Sequence, residues 1–352
     1  MDFSLFHLPT FREGFSANLN TFFEELIESV RLADRLGWAR ALTTEHHFHY
    51  YGGAVPNPAV ILAAWARETR RIRLGTAVSL LPLRHPLQVA EDYAMVDHLS
   101  GGRFDMGISR GFVPHEFEAF GMSRDDTVER VTESLSIIQR FWLGEPFAHA
   151  GRFYQFARVD PWPRTHQREI PIWVAASNDL ASFERIGTGG FHLLMNQYPM
   201  TFESLVEKHD RYKIAFAKAG HDVDARRSTV AFMTYIDDSE EAAIATARGA
   251  LQEHVGALRN VQQHKEWDRN YAGDESLLLA LCEGGDIRDV FRRRTLICTP
   301  SQAIERLARY AALGFTEAIF ICRFGALSHA QCCRTMELLT REVKPALSAE
   351  RD

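Results

Sequence analysis

NPAVILAAWARETRRIRLGTAVSLLPLRHPLQVAEDYAMVDHLSGGRFDMGISRGF (57–112) is the stretch that decides the fold. Pro58 stands at the first turn of a segment with apolar residues at helical spacing, where a proline costs no hydrogen bond. IRLGTAVSL (72–80) then reads as a strand, residues 85–99 as a second helix closing at Gly101-Gly102, and RFDMGIS (103–109) as a second strand. Strand and helix alternate here at the spacing of a crossover repeat, which implies parallel strands.

The same alternation extends outward in both directions. Upstream lie the β-type runs FSLFHL (3–8) and RALTTE (40–45), separated by a helix over 17–36 that ends at Gly37. Downstream lie IPIWVAA (170–176), FHLLMN (191–196), STVAFMTYI (228–236) and EAIFICR (317–323), for eight strands in all. Helices are expected over 126–142, 179–187, 201–219, from Ser239 onward, over 300–313, and over 329–343, the last stopping before Pro345. Eight such repeats predict an α/β fold, a (β/α)8 TIM barrel, as one domain over residues 1–352. A doubly wound open sheet is the rival, but the first strand leads into HLPTFREG rather than a glycine-rich GxGxxG turn. Two insertions exceed the repeat. Residues 144–168 read as a short hairpin and proline-bearing loop. Residues 239–299 follow the seventh strand's C-terminal end, as a lid or as extra packing helices.

Composition excludes whole classes of function. The chain has 352 residues, 46% of them apolar and 24% charged, which is globular rather than disordered or fibrous. Net charge is −6, and the one dense basic cluster, Arg292 to Arg294, reads as a solvated helix face, so no nucleic-acid partner is expected. Five cysteines (Cys282, Cys298, Cys322, Cys332 and Cys333) form neither a disulfide framework nor a CxxC metal motif and fit a reducing compartment. MDFSLFHLPTF lacks the basic start of a signal peptide, and no run of 18 apolar residues occurs, so a cytoplasmic chain with no membrane partner is expected.

Barrel chemistry belongs at strand C-termini. There the second strand delivers Glu45, His46, His47 and Phe48, the fourth Ser109-Arg110-Gly111, and the fifth Ser177. Adjacent residues leaving a strand face opposite ways, so His46 and His47 are poorly placed to share an ion, and no metal is expected. An imidazole managing protons at a binding cavity is the reading preferred. Arg110 and Arg130 are candidate clamps for a phosphate, and Ser177 stands at a helix start, where it would hold an anion or simply cap the helix. Arg130 also has a plain alternative, pairing with Glu129 or Glu133 on its own helix. LSGGRF (99–104) sits at the opposite barrel end and is turn chemistry.

The order of these motifs resembles the bacterial luciferase-like flavin-dependent monooxygenases (alkanal monooxygenase-like). TTEHHF (43–48), the whole of 57–112, EFEAFG (116–121), IPIWVAAS (170–177), TPSQAIERLARYAALGFTEAIF (299–320) and RFGALSH (323–329) carry the likeness, and 239–298 is least matched. The resemblance implies a barrel, usually a homodimer, binding reduced FMN (FMNH2) supplied by a separate flavin reductase. O2 would be activated through a flavin C4a-(hydro)peroxide to oxidise a small, apolar or carbonyl-bearing substrate. It further implies that His46 is the catalytic histidine with Glu45 and His47 its motif neighbours. Ala77-Val78 would be a strand bulge holding a non-prolyl cis peptide against the flavin, Arg110, Arg130 and Ser177 phosphate ligands, and Ala176 a backbone contact near the ring. Phe6, Phe48, Tyr50, Tyr51, Phe112 and Trp173 are candidates to line the substrate cavity, Trp173 equally for barrel core.

Three positions depart from the pattern. Ser109 stands where light-emitting members carry a reactive cysteine, which argues against light emission. Leu180 replaces a phosphate-binding threonine, with Asp179 beside it a source of repulsion unless turned away. Ala176 replaces an acidic residue. The alternatives are a deazaflavin-dependent oxidoreductase of the same fold, which EHHF disfavours, and a non-catalytic flavin-binding protein, which the retained His46 disfavours.

Overall fold

In chain order the strands are β1 (Asp2–His7), β2 (Arg40–Thr43), β3 (Arg73–Thr76), β4 (Ser79–Leu80), β5 (Phe104–Ser109), β6 (Phe147–Ala150), β7 (Gln155–Val159), β8 (Ile172–Ala175), β9 (His192–Asn196), β10 (Ser228–Ile236), β11 (Leu296–Cys298) and β12 (Glu317–Ile321). The computed structural model describes residues 1–177, 179–198, 200–262 and 287–349. Parallel pairing runs β10-β12-β1-β2-β3-β5-β8-β9, and β9 pairs back onto β10, with Ser228 beside Leu193 and Ala231 beside Asn196. That closes a parallel barrel, with β4 resuming the path of β3 and β11 extending β10 outside it. All eight expected strands are present.

The helices are α1 (Leu19–Arg35), α2 (Pro58–Glu68), α3 (Pro86–Ser100), α4 (Pro114–Ala119), α5 (Thr127–Trp142), α6 (Leu180–Thr188), α7 (Phe202–Lys218), α8 (Glu240–Gln262), α9 (Ile287–Arg294), α10 (Pro300–Ala312), α11 (His329–Leu338) and α12 (Lys344–Ala349). Their ends follow local chemistry. Asn18 caps α1 through Thr21 N, Gly101 closes α3 at φ 69°, and Thr299 with Gln302 makes a capping box on α10. The last helix departs from expectation: it does not stop before Pro345. A wide π-helical turn over Leu339–Val343 intervenes, and Pro345 falls in the first turn of α12, where its missing N–H is not needed.

Alternation along each strand sorts the core into two layers. Phe3 and Leu5 of β1 pack outward against the helices, while Phe6, Leu42, Leu194, Met233, Ile319 and Ile321 fill the barrel. At the strands' N-terminal end the interior is sealed by charge. Arg40 donates Nε–H to Glu317 Oε1 at 2.9 Å, lies 3.7 Å from Asp105, and stacks 3.6 Å over the Trp173 ring. Trp173 is therefore core. The large cavity lies at the other end.

The 144–168 insertion is the expected hairpin, β6 pairing antiparallel with β7. The described part of 239–299 contributes α8, α9 and β11. Arg292 pairs with Glu240 and Arg294 is buried against the Tyr198 carbonyl, so both serve packing. Cys298, Cys322, Cys332 and Cys333 are free thiols, and Cys282 lies outside the described residues. Among the described residues no helix is long and apolar enough to cross a membrane.

Candidate active site

The site begins where β3 leaves the ladder. The Ala77–Val78 peptide is cis, and its backbone swings between β2 and β4. Ala77 N–H donates to Thr43 O at 2.7 Å, and Glu45 N–H to Val78 O at 3.0 Å, which ties the bulge to the end of β2. On the other side Thr76 Oγ1 takes the ladder's place, accepting from Gly107 N at 2.9 Å and donating to Gly107 O at 2.6 Å. Any Cβ on Gly107 would meet Thr76 O at 2.0 Å, so this closeness requires glycine. The bulge expected at Ala77-Val78 is thus present and lines the cavity.

Beyond β2, the two adjacent histidines go to different carboxylates. His46 Nδ1 lies 3.1 Å from Glu116 Oε1, and His47 Nε2 lies 3.2 Å from Glu45 Oε1. Phe48 turns the chain with φ 64°, and His49 Nε2 returns to within 3.1 Å of the same Glu116 oxygen, which also accepts from His47 N at 2.7 Å. Glu116 is fully buried. Burial alone would raise its carboxyl, but hydrogen bonds from His46 and His49, the charge on His46 and the His47 amide outweigh it and hold it down to about 2. An ionised carboxylate only accepts, so His46 presents its Nδ1–H to Glu116 and Nε2 is the ring nitrogen left clear of that carboxylate. Glu45 is fully buried too, accepting from Ser79 Oγ at 2.9 Å and Leu80 N at 3.1 Å as well as from His47. It fastens β4 to β2.

His46 is packed as tightly as it is bonded. Tyr51 and Phe112 flank its ring at 5.5 and 5.6 Å between centroids, and a Cβ on Gly52 (φ +72°) would come within 2.7 Å of its Cδ2. His46, His49 and Glu116 also place three potential metal donors within 4.8 Å of one another. Glu116 Oε1 already faces three N–H groups, however, which describes a hydrogen-bonded cluster better than a ligand set.

These groups border a cavity of about 640 Å³ at the C-terminal ends of the strands. Its inner wall is apolar and aromatic: Phe6, Leu8, Tyr51, Phe112, Met233 and Ile321. Ser109, Arg110, Ala176 and Ser177 line it at the C-terminal ends of β5 and β8. Arg110 is exposed, and its guanidinium makes no hydrogen bond or ion pair among the described residues. Arg130 is not brought to the cavity. The lining face of α5 is Val128, Val131, Thr132, Leu135, Ser136 and Gln139, while Arg130 lies on another face, 4.3 Å over the Phe153 ring, with Nε buried and unbonded. Phe48 is 66% exposed, and neither it nor Tyr50 lines the cavity.

Sequence reading assigned no role at the site to Glu116, to individual side chains of α8, or to Ser182 and Arg185. Glu116 entered the sequence reading only as part of EFEAFG, with no role attached to it. α8 supplies a wall: Ala257, Leu258 and Val261 pack with Tyr51, Phe112 and Val113, and Asn260 donates to Tyr50 Oη at 2.8 Å. The insertion therefore covers the residues around His46. Ser182 and Arg185 of α6 line the cavity as well, together with Asp179, the N-cap already singled out in the sequence.

A family model described as luciferase-like monooxygenase matches residues 1–317. The oxygenase component of a flavin-dependent trigonelline monooxygenase from Acinetobacter baylyi is 30% identical, over 99% of this chain and 96% of that one. The crystal structure of the monooxygenase RslO1 from Streptomyces bottropensis superposes with a TM-score of 0.86, at 29% identity over 98% and 99% of the two chains. The oxygenating constituent of 3,6-diketocamphane monooxygenase from Pseudomonas putida, solved with FMN, shares the fold with a TM-score of 0.79 at 23% identity over 98% of each chain.

Proposed function

This chain belongs to the luciferase-like monooxygenase family, and from that premise we propose that it is the oxygenase component of a two-component monooxygenase. It would take reduced FMN from a separate flavin reductase and use O2 to oxidise a small, apolar or carbonyl-bearing organic substrate. The observation that carries the reading is His46, held by the buried Glu116 at the wall of a cavity whose mouth bears an uncommitted arginine, Arg110.

The residues present fit FMN. A cavity of about 640 Å³ is in the usual range for a cofactor site. Its polar end offers Arg110 and Ser177 to a phosphate, and its apolar interior offers the Ala77-Val78 and Ala176 backbone to a flat ring. When bound, reduced flavin supplies the two electrons that let one oxygen atom of O2 enter the substrate and the other leave as water. The chain's own work is different. Glu116 fixes the tautomer and the aim of His46, so that Nε2 holds or delivers the proton at the reacting oxygen. Tyr51, Phe112 and α8 keep bulk water from that point, which lowers the chance of a stray proton arriving first. Ser109 Oγ accepts from Gly111 N at 3.1 Å, which sets the turn that presents Arg110. Val60 on α2 and Met95 and Leu99 on α3 are exposed apolar side chains that the expected homodimer would cover.

The test is rapid mixing of oxygen with protein loaded anaerobically with reduced FMN, following flavin absorbance. Reoxidation much slower than that of free reduced FMN, and fast again in His46→Ala, is the expected result. Reoxidation at the free rate in the unmodified protein would overturn the proposal. Tight binding of a reduced deazaflavin with no oxygen sensitivity would favour the hydride-transfer alternative instead.

A further inference from the structure

The resemblance leaves the phosphate end of this cavity short of two groups. Leu180 offers no hydroxyl, and the Arg130 guanidinium is stacked on Phe153, away from the lining. Yet the lining of α6 carries a guanidinium that the family pattern does not call for. Arg185 reaches back along the helix, donating from Nη2 to Ser182 Oγ at 2.7 Å and to Asp179 Oδ2 at 3.3 Å. Its Nε and Nη1 make no hydrogen bond among the described residues, and its side chain is about half exposed, at 56%. Arg110 and Arg185 are the two arginines among the described lining residues; Arg110 makes no hydrogen bond or ion pair among them, and Arg185 uses only Nη2.

Asp179 looks at first like an obstacle to an anion. Its carboxylate, however, is committed to its own helix: Oδ1 accepts from Ala181 N at 3.0 Å and Oδ2 from Ser182 Oγ at 3.0 Å, with Arg185 alongside. The acid borders the cavity, but both its oxygens are taken up by these donors, and it serves as a brace. It holds the Arg185 head in one orientation, which lowers the rotamer entropy that a free arginine loses on clamping a ligand. Building on the flavin reading above, we propose that Arg185, braced by Asp179 and Ser182, is the second guanidinium of the phosphate site and acts with Arg110 in place of Arg130. A terminal phosphate monoester is the ligand chemistry that two arginines of this kind recognise.

The experiment compares oxidised FMN with riboflavin, which lacks the phosphate, by fluorescence titration of the full chain. In the unmodified protein FMN binds more tightly than riboflavin. Arg185→Gln weakens FMN about tenfold, the loss expected for one charge-assisted hydrogen bond at a half-exposed site, and leaves riboflavin unchanged. Arg185→Lys retains the charge and loses less. Arg130→Gln leaves the FMN-to-riboflavin ratio where it was. Circular dichroism and melting curves verify that each variant is folded. An unchanged ratio in both Arg185 variants, or a ratio that collapses in Arg130→Gln, overturns the assignment while the flavin reading stands. Failure of the unmodified protein to bind either flavin removes the flavin reading itself, and this inference with it.

Discussion

His254 offers the sharpest test of how α8 is built into the molecule. Its ring is 1% exposed among Tyr51, Tyr198 and Phe324, and neither nitrogen has a hydrogen-bond partner. Burial lowers its pKa from 6.5 to about 4. The unfolded chain therefore binds a proton through this range that the folded chain refuses. Stability falls as pH drops below 6.5 and stops falling near 4. Between pH 7 and pH 5 most of the gap below 6.5 has been traversed, and at about 1.4 kcal/mol per pH unit the loss from this residue is about 2 kcal/mol. His254→Leu, of similar volume, removes the titration. Urea denaturation of the flavin-free protein at pH 7 and at pH 5, for both forms, reads the difference. His7, His192 and His209, whose values burial also lowers, titrate in both proteins and cancel. The pH 7 stabilities should differ little, while the variant should lose about 2 kcal/mol less on going to pH 5. An identical acid loss in the two proteins would refute the reasoning, because it would mean that α8 does not bury His254 against Tyr51, Tyr198 and Phe324 in solution.

Glu116→Gln keeps an acceptor for His46 but gives up the charge and places an amide where Oε2 has no partner. The melting curve should report a loss of about 1–3 kcal/mol, and turnover with reduced FMN should fall well beyond any change in FMN affinity. An unchanged turnover number would remove Glu116 from a positioning role. Gly52→Ala forces a Cβ into a left-handed conformation and against the His46 ring, so turnover should drop with only about 1 kcal/mol of lost stability. Normal turnover there would show that His46 needs no fixed position. Dialysis against a chelator should leave turnover intact; loss on chelation with recovery on adding zinc would make His46, His49 and Glu116 a metal site.

Much of this protein was legible in one dimension. Period and punctuation place strands and helices because a buried strand and an amphipathic helix each write their own spacing, and eight repeats of that pattern leave few closed solutions. The bulge at Ala77-Val78 came from the family resemblance, since 72–80 by itself reads as one strand, while TTEHHF and SRG stand at strand ends where a barrel collects its chemistry. The Pro345 boundary was misread because local rules treat proline as a stop and are blind to a π turn that moves it into a first-turn position.

What the tertiary structure decided is the partnering. Glu116 and His46 are 70 residues apart, and no local spacing says that a six-residue helix will return one carboxylate to two imidazoles. Arg130 and Arg185 both lie on helices beside the cavity, and the rotation of each helix about its axis, set by packing on the barrel, determines which guanidinium faces the lining. His254 reads as one more histidine until α8 folds over Tyr51 and strips it of water. Sequence carries the periodicities because they are local. Charge pairing, burial and the aim of a side chain belong to contacts across the fold, and those exist only once the barrel has closed.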